Sequence, residues 1–193
     1  GAPGTIAPAP LSDSLWQLAT DGGRVLGGGA GGADGTNTIR LVVFSDFECV
    51  YCRRFSLSTL PGLRAEFGGR LRVQFRHWPL ANHRLAFPAA LAAECAGEQG
   101  KFSEFHDRTF AAQDSIGVLS FNDLAQRSGV ADLDRFRICT SEPMIAERVQ
   151  RDRAMAVAIR GTGTPTILLE GRHLAAAETD SAGLSLLVRK LLA

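Results

Sequence analysis

The sequence lacks a surplus of charge of either sign. Its 21 Lys and Arg face 20 Asp and Glu, which leaves a formal net charge of +1 at pH 7. Proteins that bind polyanions usually carry a basic surplus, so nucleic acid is not an expected partner. A content of 45% hydrophobic and 21% charged residues also excludes an intrinsically disordered chain.

Long apolar runs are missing too. No stretch approaches the ~18 consecutive apolar residues that a membrane-spanning helix needs, and no basic segment leads into an apolar stretch near the N-terminus. The 193 residues therefore predict one soluble domain of ordinary size, with or without an insertion. Because the chain begins at Gly1 rather than Met, we expect a processed or truncated protein, and whether a signal peptide or membrane anchor preceded it stays open.

Phosphate-binding loops are absent as well. Residues 27–32 (GGGAGG) are rich in glycine but have neither the G-x-x-x-x-G-K-[ST] nor the G-x-G-x-x-G spacing. Residues 1–12 are small and Pro-rich, without periodicity. We therefore interpret residues 1–38 as a flexible N-terminal tether with a Gly-rich connection, and residues 39–193 as the folded domain.

The folded domain opens with the pattern of a strand, a helix and a second strand. Residues 39–44 (IRLVVF) form an almost continuously apolar run, which is typical of a strand buried on both faces. Residues 53–67 carry apolar side chains at helical spacing, and residues 71–75 (LRVQF) alternate as a strand does. A helical crossover between them predicts that the two strands are parallel.

A helix-rich block then interrupts this pattern. Residues 83–160 carry the signals of four or five helices and no convincing strand. Strand character returns at residues 166–169 (TILL), followed by a turn and a weak partner strand at 174–177, and Thr179 or Asp180 begins a last amphipathic helix. The sequence therefore predicts an α/β fold with an all-helical insertion at about 83–160.

The C-x-x-C motif lies between the first predicted strand and the helix. Cys49 falls at or before the first helical turn, where free N–H groups and the helix dipole stabilise a thiolate. Arg53 and Arg54 add positive charge nearby. We predict that Cys49 is the nucleophile and that Cys52, nearly one turn later on the inner side, is the resolving thiol.

A zinc site and an inert pair of cysteines are the two other interpretations of this motif. A zinc site needs two further ligands, but the sequence has no second C-x-x-C, and its histidines lack paired ligand spacing. Those histidines are His77, His83, His106 and His173. An inert pair of packed cysteines is the second interpretation. Redox chemistry is favoured over both, with no metal and no cofactor expected.

Two separated motifs carry a family resemblance. Residues 44–52 (FSDFECVYC), then a helix-rich block, then residues 163–166 (GTPT) resemble the DsbA-like thiol-disulfide oxidoreductases of the thioredoxin superfamily, over roughly 39–193. The resemblance implies a thioredoxin fold with a helical insertion, an exposed Cys49 and a buried Cys52. It also implies a cis Pro165 beside them, with Thr164 and Pro165 binding an extended substrate chain.

The chain departs from its relatives at two places. Val50 and Tyr51 lie between the cysteines, where strongly oxidising relatives often carry Pro-His, and Tyr51 cannot supply an imidazolium to the thiolate. Val43 occupies the position of the buried acid that thioredoxins place six residues before the first cysteine. The nearest carboxylates, Asp46 and Glu48, receive no proton-transfer role and are interpreted as caps or solvated charges.

The remaining cysteines, Cys95 and Cys139, both fall in the predicted insertion. We favour a structural disulfide over two buried free thiols. It closes a loop of 44 residue steps, which chain-entropy arguments value at about 4 kcal/mol. Such a bridge persists only outside a reducing cytosol, so it favours an exported protein.

The leading functional hypothesis is an enzyme that introduces disulfides into exported proteins through Cys49 and Cys52. Its expected partners are reduced exported proteins and, as the resemblance implies, a membrane quinone-linked protein that reoxidises it. We expect a monomer in the periplasm or another extracytoplasmic compartment, with or without a membrane anchor outside this chain. The alternatives are a disulfide isomerase or reductase, and a thioredoxin-fold binding or chaperone module.

Overall fold

The computed structural model describes residues 9–27 and 38–193. Within them, a mixed sheet has the strand order β1-β3-β2-β4-β5. The strands are β1 (Arg24–Leu26), β2 (Ile39–Ser45), β3 (Leu71–His77), β4 (Thr166–Leu169) and β5 (Arg172–His173). The helices are α1 (Asp13–Thr20), α2 (Val50–Arg54), α3 (Leu60–Phe67), α4 (Ala86–Gly97), α5 (Phe102–Ala111), α6 (Phe121–Arg127), α7 (Leu133–Cys139), α8 (Pro143–Ala158) and α9 (Ser181–Leu192).

The central strands follow from their apolar runs. β2 is buried along nearly its whole length, so it lies in the middle of the sheet with helices on both faces. It pairs in parallel with β3, as the helical crossover predicts, and antiparallel with β4, with Leu41 opposite Val73 and Leu169. A π-helical segment, Phe55–Thr59, joins α2 to α3.

Alternate residues of β2 supply two separate cores. Leu41 and Val43 belong to the larger core, which includes Phe75 and side chains from the helical insertion. Val42 and Phe44 point to the other face and pack in a smaller cluster with residues of α1, α8 and β4. The smaller core therefore needs α1 as part of its cover.

The prediction of a structureless segment before Ile39 is wrong for residues 13–26. The Ser12 hydroxyl caps α1, whose Trp16 and Ala19 are buried in the smaller core. β1 then pairs antiparallel with β3. Gly23 has a φ of +82°, and a Cβ there would lie 2.4 Å from the Phe75 carbonyl oxygen, so this glycine permits a close approach between chains. The rest of the predicted tether at 1–8 and 28–37 lies outside the described residues.

The weak strand predicted at 174–177 is also wrong in position. Glu170 and Gly171 both have positive φ and turn the chain at once, so the partner strand β5 is Arg172–His173. One further backbone hydrogen bond runs from Leu174 N–H to the Ile167 carbonyl. A short 3-10 turn at Ala176–Glu178 follows instead of a strand.

The helical insertion extends from α4 to α8, as predicted. The Cys95–Cys139 disulfide predicted within it is present and joins α4 to the end of α7, with both residues buried. No described helix has the length and apolarity needed to cross a bilayer.

Removing this bridge should destabilise the protein without disturbing the C-x-x-C. Its 44-residue separation predicts that Cys95→Ala/Cys139→Ala lowers the free energy of unfolding by about 2 to 4 kcal/mol. Urea unfolding without reductant, in the Cys49→Ala/Cys52→Ala background with and without the Cys95–Cys139 bridge, measures the loss. A change below about 1 kcal/mol would show that the bridge constrains the unfolded chain little.

Candidate active site

The C-x-x-C lies where β2 ends and α2 begins. Cys49 is the N-cap residue of α2, and its N–H donates to the Asp46 carbonyl at 3.1 Å. Val50 and Tyr51 are 64% and 63% exposed, whereas Cys49 is 7% exposed and Cys52 is fully buried. The expectation of an exposed Cys49 is therefore wrong, and the Thr164 carbonyl oxygen lies 3.3 Å from its sulfur.

The two thiols have opposite acidities. A hydrogen bond from the Cys52 thiol is the largest effect that lowers the pKa of Cys49, to about 5. Burial opposes this, while Thr164 and the backbone N–H groups of Tyr51 and Cys52 lower the pKa further. Burial, and then the neighbouring Cys49, raise the pKa of Cys52 well above that of an ordinary thiol. At neutral pH the reduced pair is therefore a Cys49 thiolate beside a Cys52 thiol.

The helix terminus acts on Cys49 as the sequence predicts, but the two arginines lie elsewhere. The Arg53 guanidinium pairs with Asp114 at 3.0 Å. The Arg54 guanidinium lies 5.9 Å from the centre of the Tyr51 ring. Both side chains are thus directed to other partners.

The predicted cis peptide bond, Thr164–Pro165, lies beside the cysteines. Pairing of Phe44 with Thr166 places the start of β4 next to the end of β2, so the preceding residues reach the C-x-x-C. The Cys49 Sγ lies 3.3 Å from the Thr164 carbonyl oxygen, to which the protonated thiol donates. The two motifs, over a hundred residues apart, form one site.

Sequence reasoning missed a residue that supports this site. Gln113, in a 3-10 turn after α5, donates from Nε2 to the Phe47 carbonyl at 2.8 Å and to the Cys49 carbonyl at 3.0 Å. The helical insertion thereby fixes two carbonyls of the loop that carries the nucleophile. A glutamine after an amphipathic helix gives no sequence signal for this contact.

The carboxylates before the motif are not solvated charges. Asp46 is 1% exposed and accepts N–H groups from the loops around it. Glu48, partly buried, accepts the Leu85 N–H at 2.6 Å. Both side chains therefore join the loop before Cys49 to the chain between β3 and α4.

The histidines are held in separate contacts rather than gathered into a ligand set. His77 contacts Glu94, His83 contacts Asp46, His106 contacts Ser56 and Asp107, and His173 contacts the Ile159 carbonyl. Among the residues in 9–27 and 38–193, no group of three or more His, Cys, Asp or Glu is placed to hold a metal ion.

The Cys52 thiol should be the main support of the Cys49 thiolate. Cys52→Ser keeps an O–H donor and should leave the pKa of Cys49 near 5, whereas Cys52→Ala removes the donor and should raise it clearly. Thiolate absorbance as a function of pH measures both variants. Equal Cys49 pKa values in the two would contradict this assignment.

Comparison with known proteins agrees with this geometry. The family model described as Thioredoxin matches residues 31–188. BdbD from Bacillus subtilis, in its oxidised form, superposes with a TM-score of 0.74 at 19% identity, over 97% of each chain. The oxidoreductase DsbA from Xylella fastidiosa is 25% identical, with a TM-score of 0.59 over 86% of this chain and 92% of that one.

A different kind of relative is found among curated proteins. The Na(+)/H(+) antiporter NhaA of Herminiimonas arsenicoxydans is 38% identical over 136 residues, which are 70% of this chain and 21% of the antiporter. The chain therefore spans about a fifth of the length of such relatives.

The thioredoxin fold with a helical insertion, predicted from two motifs, is confirmed by the matching structures. Together with the Cys49–Cys52 pair at the start of α2, these matches identify the enzyme class. The chain belongs to the thioredoxin family, and its structure matches those of DsbA-type thiol-disulfide oxidoreductases.

Proposed function

We propose that this enzyme introduces disulfide bonds into exported proteins. The observation that carries the proposal is the position of Cys49 at the N-terminus of α2, next to the buried Cys52 thiol, which lowers the pKa of Cys49 to about 5. A stabilised thiolate favours the reduced enzyme, so the Cys49–Cys52 disulfide readily accepts electrons from substrate thiols. This favours an oxidase over a reductase.

Each turnover moves two electrons from substrate to enzyme. A substrate thiolate attacks Sγ of Cys49, the Cys49–Cys52 bond breaks, and the departing Cys52 sulfur takes up a proton, which its raised pKa favours. A second substrate thiolate then attacks the substrate sulfur of the mixed disulfide. Cys49 leaves as a thiolate, and its low pKa makes it a good leaving group.

Substrate binding is proposed at Thr164 and Pro165. The Thr164 backbone lies beside the Cys49 sulfur, and an extended substrate chain running along it would meet the reactive sulfur. The exposed Val50 and Tyr51 side chains add apolar surface next to that sulfur. These contacts support recognition of unfolded chains by backbone and apolar groups rather than by charge.

The proposed location is the periplasm or another extracytoplasmic compartment. The buried Cys95–Cys139 bridge supports it, because structural disulfides persist in oxidising compartments. Reoxidation there is assigned to a membrane quinone-linked partner, which removes two electrons and restores the Cys49–Cys52 disulfide. The enzyme is proposed to act as a monomer and to need no cofactor. Nucleic acid is not proposed as a partner, and a membrane anchor outside this chain is compatible with the proposal.

Turnover on a reduced, unfolded protein with glutathione disulfide as the terminal oxidant tests this function. The wild type should be catalytic and Cys49→Ala inactive. Without glutathione disulfide, the oxidised wild type should still oxidise one equivalent of substrate, whereas Cys52→Ala should oxidise none, because it cannot form the Cys49–Cys52 disulfide. Cys95→Ala/Cys139→Ala is the matched control and should retain activity below its unfolding temperature. Purely stoichiometric effects would indicate a binding module, and preference for a scrambled over a reduced substrate would indicate an isomerase.

The stability difference between reduced and oxidised enzyme should depend on pH. Because the pKa of Cys49 is lowered in the folded dithiol, its thiolate contributes stability that is fully present above the unfolded thiol pKa and is lost as pH falls through about 5. Between these limits, the advantage of the reduced form should grow by up to about 1.4 kcal/mol per pH unit. Chemical denaturation of both forms from pH 4.5 to 8 measures it. A pH-independent difference would remove the basis for a strongly oxidising disulfide.

A further inference from the structure

Asp46 links the C-x-x-C to a distant loop through its backbone and its side chain. Its carbonyl accepts the Cys49 N–H at 3.1 Å. Its buried carboxylate accepts the Glu48 N–H through Oδ1 at 2.7 Å and the Leu80 N–H through Oδ2 at 2.7 Å. The same Oδ2 lies 2.8 Å from Nδ1 of His83. A charged carboxylate that takes three donors in a buried loop fixes the position of that loop.

His83 lies in an acidic environment on the segment between β3 and α4. Its side chain is 24% exposed, and its N–H donates to the Leu80 carbonyl at 3.0 Å, so a local turn orients the residue. Burial lowers the pKa of His83, but Asp46, followed by Glu48 and Cys49, outweighs it and the pKa is raised. Asp46 joins the two residues, because its carbonyl accepts the Cys49 N–H and its carboxylate contacts the His83 ring. The charged groups that act on the ring are Asp46, Glu48 and the Cys49 thiolate, while the neighbouring Arg84 is exposed.

We propose that Asp46 and His83 form a positioning pair for Cys49, in which the carboxylate holds the loop before the nucleophile and the protonated imidazole supplies positive charge to the thiolate. Tyr51, between the two cysteines, cannot supply an imidazolium, and the pair supplies this positive charge from a separate loop. The proposal rests on the proposed redox role of Cys49. Neither residue forms a bond to substrate.

The pair has a consequence that a merely structural contact does not have. Coupling between two charges is mutual: if the imidazolium stabilises the thiolate, the thiolate stabilises the imidazolium by the same free energy. Oxidation to the disulfide removes the negative charge from Cys49. The pKa of His83 must then be lower in the oxidised enzyme than in the reduced enzyme, although its contact with Asp46 is unchanged.

NMR titration of the histidine rings in both redox forms of the wild type tests this directly. We expect the pKa of His83 to fall by about half a unit on oxidation, with His83→Gln used to assign the signal. His173, which contacts the Ile159 carbonyl, is the internal control and should not shift. An unchanged His83 pKa, or an equal shift at His173, overturns the proposal.

Thiolate titration of Cys49 tests the reverse direction. His83→Gln should raise the pKa of Cys49 by about half a unit, which lowers the thiolate fraction roughly threefold near pH 4.5. His83→Lys keeps a positive charge and a donor toward Asp46, so it should restore most of the effect. Arg84→Gln removes an exposed charge at the adjacent position and should change little. A shift in Arg84→Gln equal to that in His83→Gln, or no restoration by lysine, contradicts the pair.

These readouts separate this inference from the proposed function. Both titrations use the purified enzyme alone, without a protein substrate or a reoxidising partner. An enzyme that fails to turn over exported proteins yet shows the coupled titrations refutes the function and supports the pair. An active oxidase in which His83→Gln leaves the pKa of Cys49 unchanged refutes the pair and supports the proposed function.

Discussion

The chemistry of this protein depends on one hydrogen bond, from the Cys52 thiol to the Cys49 sulfur. It is the largest influence that lowers the pKa of Cys49, and it requires one sulfur at the N-cap and the other buried three residues later. Burial prevents Cys52 from ionising in place of Cys49, so the negative charge has one location. A sulfur that is a good leaving group and a partner that retains its proton are what directional exchange requires.

The surrounding fold serves to keep that geometry. β2 is buried on both faces and ends directly before the motif, so its position is fixed by two cores. Gln113, from the helical insertion, donates to the Phe47 and Cys49 carbonyls, and the chain entering β4 places Thr164 beside the Cys49 sulfur. The insertion is therefore part of the support of the active site, and the Cys95–Cys139 bridge joins two of its helices.

Local patterns in the sequence were sufficient for most of the fold and for both motifs. The apolar run of β2, the helical crossover and the Gly-Thr-Pro-Thr segment each carry their information in a few adjacent residues. α1 was not predicted because its segment is short and lies between Pro-rich and Gly-rich stretches. Its helical state depends on Trp16 entering a core formed by β2 and β4 far along the chain. A few adjacent residues do not show that a helix will pack on a sheet face built from residues far along the chain.

The same limit explains why the charged groups were misjudged. Asp46 and Glu48 lie directly before the motif, where a cap or a solvated charge is the ordinary expectation, and only the approach of residues 80–85 pairs them with partners far along the chain. Arg53 and Arg54, placed by sequence beside the thiol, extend away toward Asp114 and Tyr51. Proximity along the sequence thus overestimates the effect of Arg53 and Arg54 on the thiolate. It gives no indication that His83, which is 34 positions beyond Cys49, contacts Asp46 of the same loop. The electrostatic environment of a catalytic sulfur is set by which loops converge on it, because charge acts through space, while a motif specifies only neighbours along the chain.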